Sequence, residues 1–584
     1  MPNNLQLCTL NNIKSAIMAY LTQKKVNGSV YYYAEQRVWV NGKSKRQWQK
    51  YLGSLNKIIK AIEGQTPEIE HSIVFEFGGV AAYLYYLEQL GIEVQIDSLL
   101  PKREQGLSIG RYIAIATINR GLHSVSKNSM WNWYEDTVLL SYWGNVKKNM
   151  LSSQRFWDNM DLIPEDKIVE IWNKIIKNTI AVKQIDLSKI CFDGTNYYTF
   201  ISSFNSRNNI SQRGKNKQGR RDLRQVNYAL FCSQQDHIPL YFDVYEGNRH
   251  DSPEFHKIID DFANCFQTLG NPHSNMTVIF DKGNNSEENI EKLTKQKLHY
   301  IGSLKLNQVK ELEAISNNDS YLKNCKSATL EDYKVYRIQR KVFKQNMTLL
   351  LIYNPGLYDS QLKTVLKDIN NCITKLSELK QKLQDRIDGI TTKGKKPTES
   401  SVKASVNSIL KRQYMKQIIT VEYDTKNDIP SINYQIDELK LKEIRENRLG
   451  KKILFTDNHH WKTEDIIMAY NNQAVVENLF KETKNRKYSS WWPQYHYTDQ
   501  KIKVHGLYCT ITLLIRSLIE RDLRLNNIKI SMERLHDELT GIKQIVSLFK
   551  SKDKPAHKSK VKSLSKMNEL QNKLYKMFNM KQYN

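Results

Sequence analysis

The chain has 584 residues, about four times the roughly 150 of an ordinary domain, which excludes a mini-protein or a lone binding module. Hydrophobic residues make up 40% and charged residues 26%, and with only 12 Pro and 24 Gly the composition is that of a folded protein, not of a long disordered one. Lys plus Arg (88) exceeds Asp plus Glu (61) by 27, a positive potential that favours a nucleic-acid partner over a merely solvated lysine-rich surface. The N-terminal MPNNLQLCTLNN lacks the basic-then-apolar layout of a secretory signal. The best apolar run, around Tyr508 to Ile519, is interrupted by Arg516 and falls short of the ~18 residues a membrane span needs. Seven Cys without a CxxC pair point to reduced thiols and a cytoplasmic setting with no membrane partner.

In chain order, residues 30–52 alternate aromatic and polar positions around Asn41-Gly42, which predicts a β-hairpin with a tight turn and a basic tip of Lys43, Lys45 and Arg46. We place a hairpin region at 1–65 and a helical, DNA-binding region at 66–185. Within the latter, residues 108–133 show an apolar helix, a break at Gly121 and a second polar-aromatic segment, a pattern shared by helix-turn-helix units and by plain helical hairpins.

Residues 186–305 change character. Short β-like runs at Ile190–Asp193, Val226–Cys232, Pro239–Tyr245, Val278–Asp281 and Tyr300–Leu304 alternate with helical stretches near 252–268 and 286–297, the second capped by Ser286. That order predicts an α/β sheet covered by helices. Residues 306–460 interrupt it with two strand-like runs, Tyr336–Phe343 and Met347–Tyr353, and a long helix in which Leu362, Ile369, Leu376 and Leu383 recur every seventh residue. The turn near Lys393-Gly394-Lys395-Lys396-Pro397 closes it as a helical hairpin, a β-plus-helical insertion subdomain. Strand-like Ile418–Tyr423 and Lys452–Thr456 return the chain to the sheet. Helices are expected over 463–485 and 499–549, dividing the remainder into 461–515 and a C-terminal helical, basic region at 516–584, with 550–584 as a partly frayed basic helix.

Three acidic residues stand out by position. Asp193 and Asp281 each finish an apolar strand-like run, which places a carboxylate at the rim of the sheet, although Asp before Gly is also ordinary turn chemistry. Glu477 lies on a helix that carries Tyr470 and Lys484 at intervals of seven on one face. Its apolar neighbours Val475, Val476, Leu479 and Phe480 predict that it faces the core, where a carboxylate needs a partner such as a metal; the plainer reading is the polar margin of an amphipathic helix.

Four stretches together resemble bacterial insertion-sequence transposases of the DDE type, of the insertion-sequence-four-like superfamily: FDGTNYYTF; GRRDLRQVNYALF with IPLYFDVYEGNRHDS; VIFDKGNNSEEN; and Tyr470–Lys484 followed by YHYTDQKIKVHGLYC. The resemblance implies an RNase H-like core over 186–305 and 461–515, with the insertion at 306–460 placed before the last acid. In the family's last motif, Tyr470, Glu477 and Lys484 match, while Gln473 stands where the family has Arg. It implies metal-dependent cleavage and strand transfer on double-stranded DNA, at element ends and target, by a homodimer. Asp193, Asp281 and Glu477 would be the catalytic residues and the ligands of two Mg²⁺ ions, with Mn²⁺ able to substitute, since hard oxygen ligands suit them. Tyr470 and Lys484 would hold phosphate; the basic loop of Arg213, Lys215, Lys217, Arg220, Arg221 and Arg224 reads either as a clamp on the DNA backbone or as a solvated loop.

Two other readings stay open at the level of sequence: a basic DNA-binding protein whose catalytic core is retired, and an RNase H-like nuclease without strand transfer. His459-His460 lacks a third ligand at zinc spacing and reads as structural. Trp461, Trp491 and Trp492 could stack on an unpaired base but read first as core.

Overall fold

The computed structural model describes residues 19–40, 42–62, 69–101, 106–215, 219–268, 275–426, 428–492, 494–549 and 559–584. The chain divides into two compact units, one from within Met1–Phe75 and Lys543–Lys566, the other Glu76–Ile542 with Met567–Asn584.

In the first unit, β1 (Ala19–Val26), β2 (Ser29–Val40) and β3 (Lys43–Ser54) form an antiparallel meander. The expected hairpin is its β2–β3 half; Gly42 takes the positive φ of 71° that a tight turn requires, and Asn41 lies outside the described residues. Arg46 is paired with buried Glu35 at 3.0 Å, so part of the basic tip is neutralised within the sheet. The unit's second sheet joins β4 (Ile69–Glu76) to Lys543–Phe549 and Ser559–Leu564. This corrects the sequence expectation of continuous helix to residue 549. Ile545 and Val546 favour a pleated surface, and pairing with the distant Ser559–Leu564 strand decides between periodicities that seven residues leave ambiguous.

The second unit contains the helix α1 (Ile109–Leu122), buried at every position except Arg111. Gly121 does not break it. A Cβ there would lie 2.1 Å from the Tyr83 ring, so glycine allows two elements to touch. With the short helix Met130–Glu135 that follows, the segment is core and not a projecting recognition helix. Helix α2 (Glu165–Lys183) leads into a nine-stranded mixed sheet.

The sheet is built from β5 (Lys189–Tyr198), β6 (Gln225–Ser233), β7 (Pro239–Glu246), helix α3 (Asp251–Thr268), β8 (Thr277–Phe280), helix α4 (Glu287–Lys295), β9 (His299–Leu304), β10 (Lys323–Asn324), β11 (Lys334–Val342) and β12 (Gln345–Tyr353). Then come the long helix α5 (Pro355–Ile387), helix α6 (Glu399–Ile409), the separate hairpin β13 (Ile419–Lys426) and β14 (Ile429–Ile436), and the returning strand β15 (Lys451–Thr456). The spatial order is β10-β11-β12-β15-β9-β8-β5-β6-β7, with β5, β8 and β9 parallel to one another and the other pairs antiparallel. Ser286 caps α4, its hydroxyl accepting the Asn289 N–H at 3.1 Å, as expected from sequence.

The heptad stripe is core. Val365, Ile369, Cys372, Leu376 and Leu383 of α5 are buried with Val402 and Val406 of α6, Ile419 of β13 and Ile432 of β14. The helix is therefore covered by a short helix and a two-stranded sheet together, not by a second long helix. The subdomain leaves and re-enters the main sheet at one point: Tyr353 pairs in register with Lys451, and the Asn354 N–H donates to the Gly450 carbonyl at 2.8 Å.

Helix α7 (Thr463–Asn471), helix α8 (Ala474–Thr483) and helix α9 (Asp499–Leu525) complete the unit. The single helix expected over 463–485 is two, broken at Asn472–Gln473. Contrary to expectation, α9 is long and apolar enough by composition to cross a membrane, but 94% of its most apolar window is buried inside the protein, where it is a central core helix. The last residues are not frayed: Phe578 packs 6.0 Å from Tyr86, and Leu574, Met580 and Tyr583 are buried.

Candidate active site

Strand alternation decides which face each acid occupies. Phe192 on β5 and Phe280 on β8 are in register, and both rings pack on Phe255 of α3, at 4.4 and 5.0 Å. The next residue in each strand direction, Asp193 and Asp281, therefore faces the opposite side, toward α7 and α8. Contacts on that face agree. Cys191 Sγ lies 4.0 Å from the Asn472 carbonyl, Lys484 Nζ is hydrogen-bonded to Thr195 Oγ1, and the Tyr197 hydroxyl is 2.5 Å from Thr483 Oγ1. Neighbouring strands run about 4.8 Å apart, so the two Asp residues stand side by side.

Asp281 directly follows β8, as expected. Asp193 does not end β5. The strand continues to Tyr198 because β6 pairs with it throughout, while β8 stops at Phe192. Asp193 is thus the first position of β5 beyond its parallel partner, and its Oδ1 accepts the Gly194 N–H at 2.7 Å. Asp281 Oδ1 accepts a hydrogen bond from the Tyr470 hydroxyl at 3.3 Å, and that hydroxyl is 2.8 Å from Ser303 Oγ on β9. Burial pushes the Tyr470 phenol above its ordinary range, which keeps it a neutral donor.

Glu477 corrects an expectation. Val476, Leu479, Phe480 and Thr483 take the buried face of α8, and Glu477 is exposed at its edge. It lies one turn after Gln473, whose Nε2 donates to the Phe192 carbonyl at 3.4 Å, and two turns before Lys484, which reaches Thr195. The stripe carrying Glu477 is therefore anchored at both ends on the stretch of β5 that contains Asp193. Tyr470 belongs to the preceding helix and reaches the neighbouring strand. Among the described residues, no three His, Cys, Asp or Glu side chains form a group that could hold a metal ion as they stand.

Beside Asp281 and Tyr470 opens a cavity of about 640 Å³, lined also by Lys282, Lys305, Arg448, Lys451 and Lys452. Leu357, Gln361, Gln413 and Tyr414 of the insertion subdomain line it too. Lys452 Nζ stands 4.8 Å from the Tyr470 ring centroid; burial holds its ammonium below the ordinary lysine range, with Asp281 opposing the shift. Sequence reading missed Lys452 and Ser303. The Lys451-Lys452 pair opening an apolar strand was the available signal.

The basic loop is only partly free. Lys217 lies outside the described residues. Arg224 is turned inward, donating to the Ser203 and Asn205 carbonyls at 2.6 and 3.2 Å. Arg220 pairs with Asp222 at 2.8 Å, Arg213 donates to Ser203 Oγ at 3.2 Å, and Arg221 is exposed. Lys215 lines a second cleft, of about 430 Å³, with Gly194, Asn196, Arg249 and His250. Trp491 and Trp492 are core, stacked on Tyr197 and Tyr198, and His459 Nδ1 lies 2.9 Å from Thr348 Oγ1, a structural contact.

The family model described as the transposase DDE domain matches residues 186–515, more than half of the chain. No curated protein matches. Among solved structures, the chain is loosely similar to a piggyBac transposase in a synaptic complex with hairpin DNA, at 9% identity and a TM-score of 0.37, over 81% of this chain and 82% of that one.

Proposed function

The chain belongs to the transposase DDE domain family, and from that premise we propose that Asp193, Asp281 and Glu477 are its catalytic carboxylates. It is a transposase, an enzyme that cuts DNA phosphodiester bonds and transfers the strands. The observation that carries the assignment is the side-by-side placement of Asp193 and Asp281, facing the helix that bears Glu477. The strand order β7-β6-β5-β8-β9, with the first three antiparallel and the last three parallel, supports an RNase H-like core.

Divalent metal ions are general to this family, and the donor set fits them: all three candidates are hard carboxylate oxygens, two of them adjacent at the sheet rim. Asp193, Asp281 and Glu477 would together hold two Mg²⁺ ions; Mn²⁺ would substitute. Bound there, the ions supply charge neutralisation at the attacked phosphate and the leaving oxygen.

The chain's own groups do the rest. Tyr470 fixes the rotamer of Asp281 by its hydrogen bond and bridges to Ser303. Lys484, held at Thr195, and Lys452, beside Asp281, present cations to a bound phosphate. Gln473 bonds the Phe192 carbonyl and positions α8; a neutral amide replaces the charge its Arg counterpart would bring. Arg213, Lys215 and Arg221 offer cations to the DNA backbone, while Arg220 and Arg224 are held largely within their own loop. The same site serves both steps: water cuts the strand, and the freed 3′-hydroxyl attacks a target phosphodiester, forming one bond as another breaks. We place the protein on DNA in the cytoplasm, as a homodimer joining two element ends.

The test is incubation of the full chain with duplexes carrying candidate element ends and Mg²⁺, scoring cleaved and joined products. Both should form, and each of Asp193→Asn, Asp281→Asn and Glu477→Gln should abolish both. Cleavage by any of the three at the wild-type rate would remove that residue from the assignment.

A further inference from the structure

Away from the carboxylates, a cavity of about 460 Å³ is lined by Arg120, Lys127, Trp157, His496, Lys501 and Tyr508, with Ser126, Asn128, Ser153 and Gln154 at its walls. Among the described residues no carboxylate lines it. Arg120, Lys127 and His496 are only 2%, 7% and 7% exposed. Arg120 Nε, Lys127 Nζ and His496 Nδ1 have no hydrogen-bond partner among the described residues.

Three nitrogens of basic side chains, buried around one cavity without a counter-ion, are costly unless something anionic completes them. The charges around the cavity bear this out. The rest of the Arg120 guanidinium is spent on the carbonyls of Ser490 and Trp492, at 3.3 and 2.7 Å, and Val125 at 3.5 Å. Lys501 is paired outward with Asp161 at 3.2 Å. Among the described residues Lys127 meets the faces of Phe156 and Tyr508, at 4.3 and 4.6 Å, which attract a cation without neutralising it. Burial and the neighbouring Arg120 hold the Lys127 ammonium far below its ordinary range, and burial with Arg120, Lys127 and Lys501 does the same to His496. An oxyanion would reverse both shifts.

We propose that this cavity is a phosphate-binding site, in which Lys127, Arg120 Nε and protonated His496 converge on one tetrahedral oxyanion. The serine hydroxyls and amides of the wall suit its remaining oxygens. The site is separate from the carboxylates. It adjoins Tyr495, which stacks at 5.3 Å on Phe200, beyond the end of β5, and the strand from Asp193 to Tyr198 alone spans roughly 16 Å at ~3.3 Å per residue. The proposal does not depend on the assignment of Asp193, Asp281 and Glu477. The phosphate is either free or part of a nucleic-acid strand, and the exposed rings of Tyr495 and Tyr497 at the mouth are available to stack a base in the second case.

The test is calorimetric titration of the full chain with inorganic phosphate, against chloride at equal ionic strength, with thermal melting in parallel. Saturable binding and a raised melting temperature are expected in phosphate alone. Lys127→Met should weaken phosphate at least tenfold while melting in chloride at or above the wild-type temperature; His496→Gln is the second variant should the first not fold. Asp281→Asn should bind phosphate like the wild type. Absence of saturable binding, or binding unchanged in the cavity variants, overturns the proposal. Competition identifies the source: displacement of phosphate by a 5′-phosphorylated oligonucleotide assigns the site to a strand, and persistence of Lys127-dependent phosphate binding beside the oligonucleotide assigns it to the free ion.

Discussion

The phenol of Tyr470 reaches Asp281 across 3.3 Å from a helix that begins more than 180 residues later in the chain, and the same oxygen lies 2.8 Å from Ser303. One side chain thus ties the covering helices to two neighbouring strands of the sheet. Tyr470→Phe should lower cleavage by about fivefold, the worth of one hydrogen bond of ~1 kcal/mol, and leave DNA affinity within about twofold. Loss of DNA binding in this variant would instead make Tyr470 a direct phosphate contact.

Asp281→Asn separates binding from chemistry. It removes one negative charge from a cavity rich in Lys and Arg, so DNA affinity should hold or rise, while cleavage falls by at least about a thousandfold. Gel-shift and cleavage assays on the same preparation read both.

The arginines of the 213–224 loop should be unequal. Arg221 is exposed and makes no ion pair among the described residues, whereas Arg220 is already paired with Asp222. Arg221→Gln should flatten the salt dependence of DNA binding by about one unit of slope, and Arg220→Gln by clearly less. Equal slopes would mean that Asp222 releases Arg220 on binding.

Pro355 to Leu449 can be removed as a unit, because Asn354 and Gly450 are hydrogen-bonded neighbours. Excising only 360–416 would strip α5 and α6 from Ile418, Ile432 and Ile444 and expose that core. Joining 354 to 450 by a short Gly/Ser linker should leave a folded, soluble chain, by circular dichroism and melting. Since Leu357, Gln361, Gln413 and Tyr414 line the cavity of Asp281, strand joining should fall at least tenfold. Unchanged joining would make the subdomain a passive insertion.

Lys451 is 5% exposed, and burial brings its ammonium down to about 8. From there up to the ordinary 10.5, the unfolded chain keeps a proton that the folded chain has shed, so this residue makes the fold more stable as pH rises through that window. Measured against Lys451→Met, the wild type should gain by at most about 3 kcal/mol between pH 7.5 and 10. A difference that is flat in pH would refute the depressed ammonium.

The apolar strand runs ending on Asp193 and Asp281 were legible because a buried strand reads as a short hydrophobic run, and the order of strands and helices then implied the sheet. The continuation of β5 to Tyr198 was not legible, since it depends on β6 pairing with one edge only. Nor was the break at Asn472–Gln473: those residues are acceptable in a helix, and tertiary contacts with β5 decide the matter. Lys127 sits in a polar stretch that looks solvated, and its burial comes from α9 and Phe156, remote in sequence. The heptad stripe told that α5 packs, but not that a two-stranded sheet would share in covering it.

The joint at Asn472–Gln473 divides the acids mechanically. Asp193 and Asp281 are fixed to adjacent strands of a nine-stranded sheet and cannot separate without breaking its hydrogen bonds. Glu477 stands on a separate ten-residue helix, joined to the one before it at Asn472–Gln473 and held to β5 by the Gln473 and Lys484 contacts. In the catalytic centre proposed above, two carboxylates would therefore stand on one rigid element and the third on a separate short helix, so substitutions at Asn472–Gln473 should displace Glu477 while the sheet stays as it is.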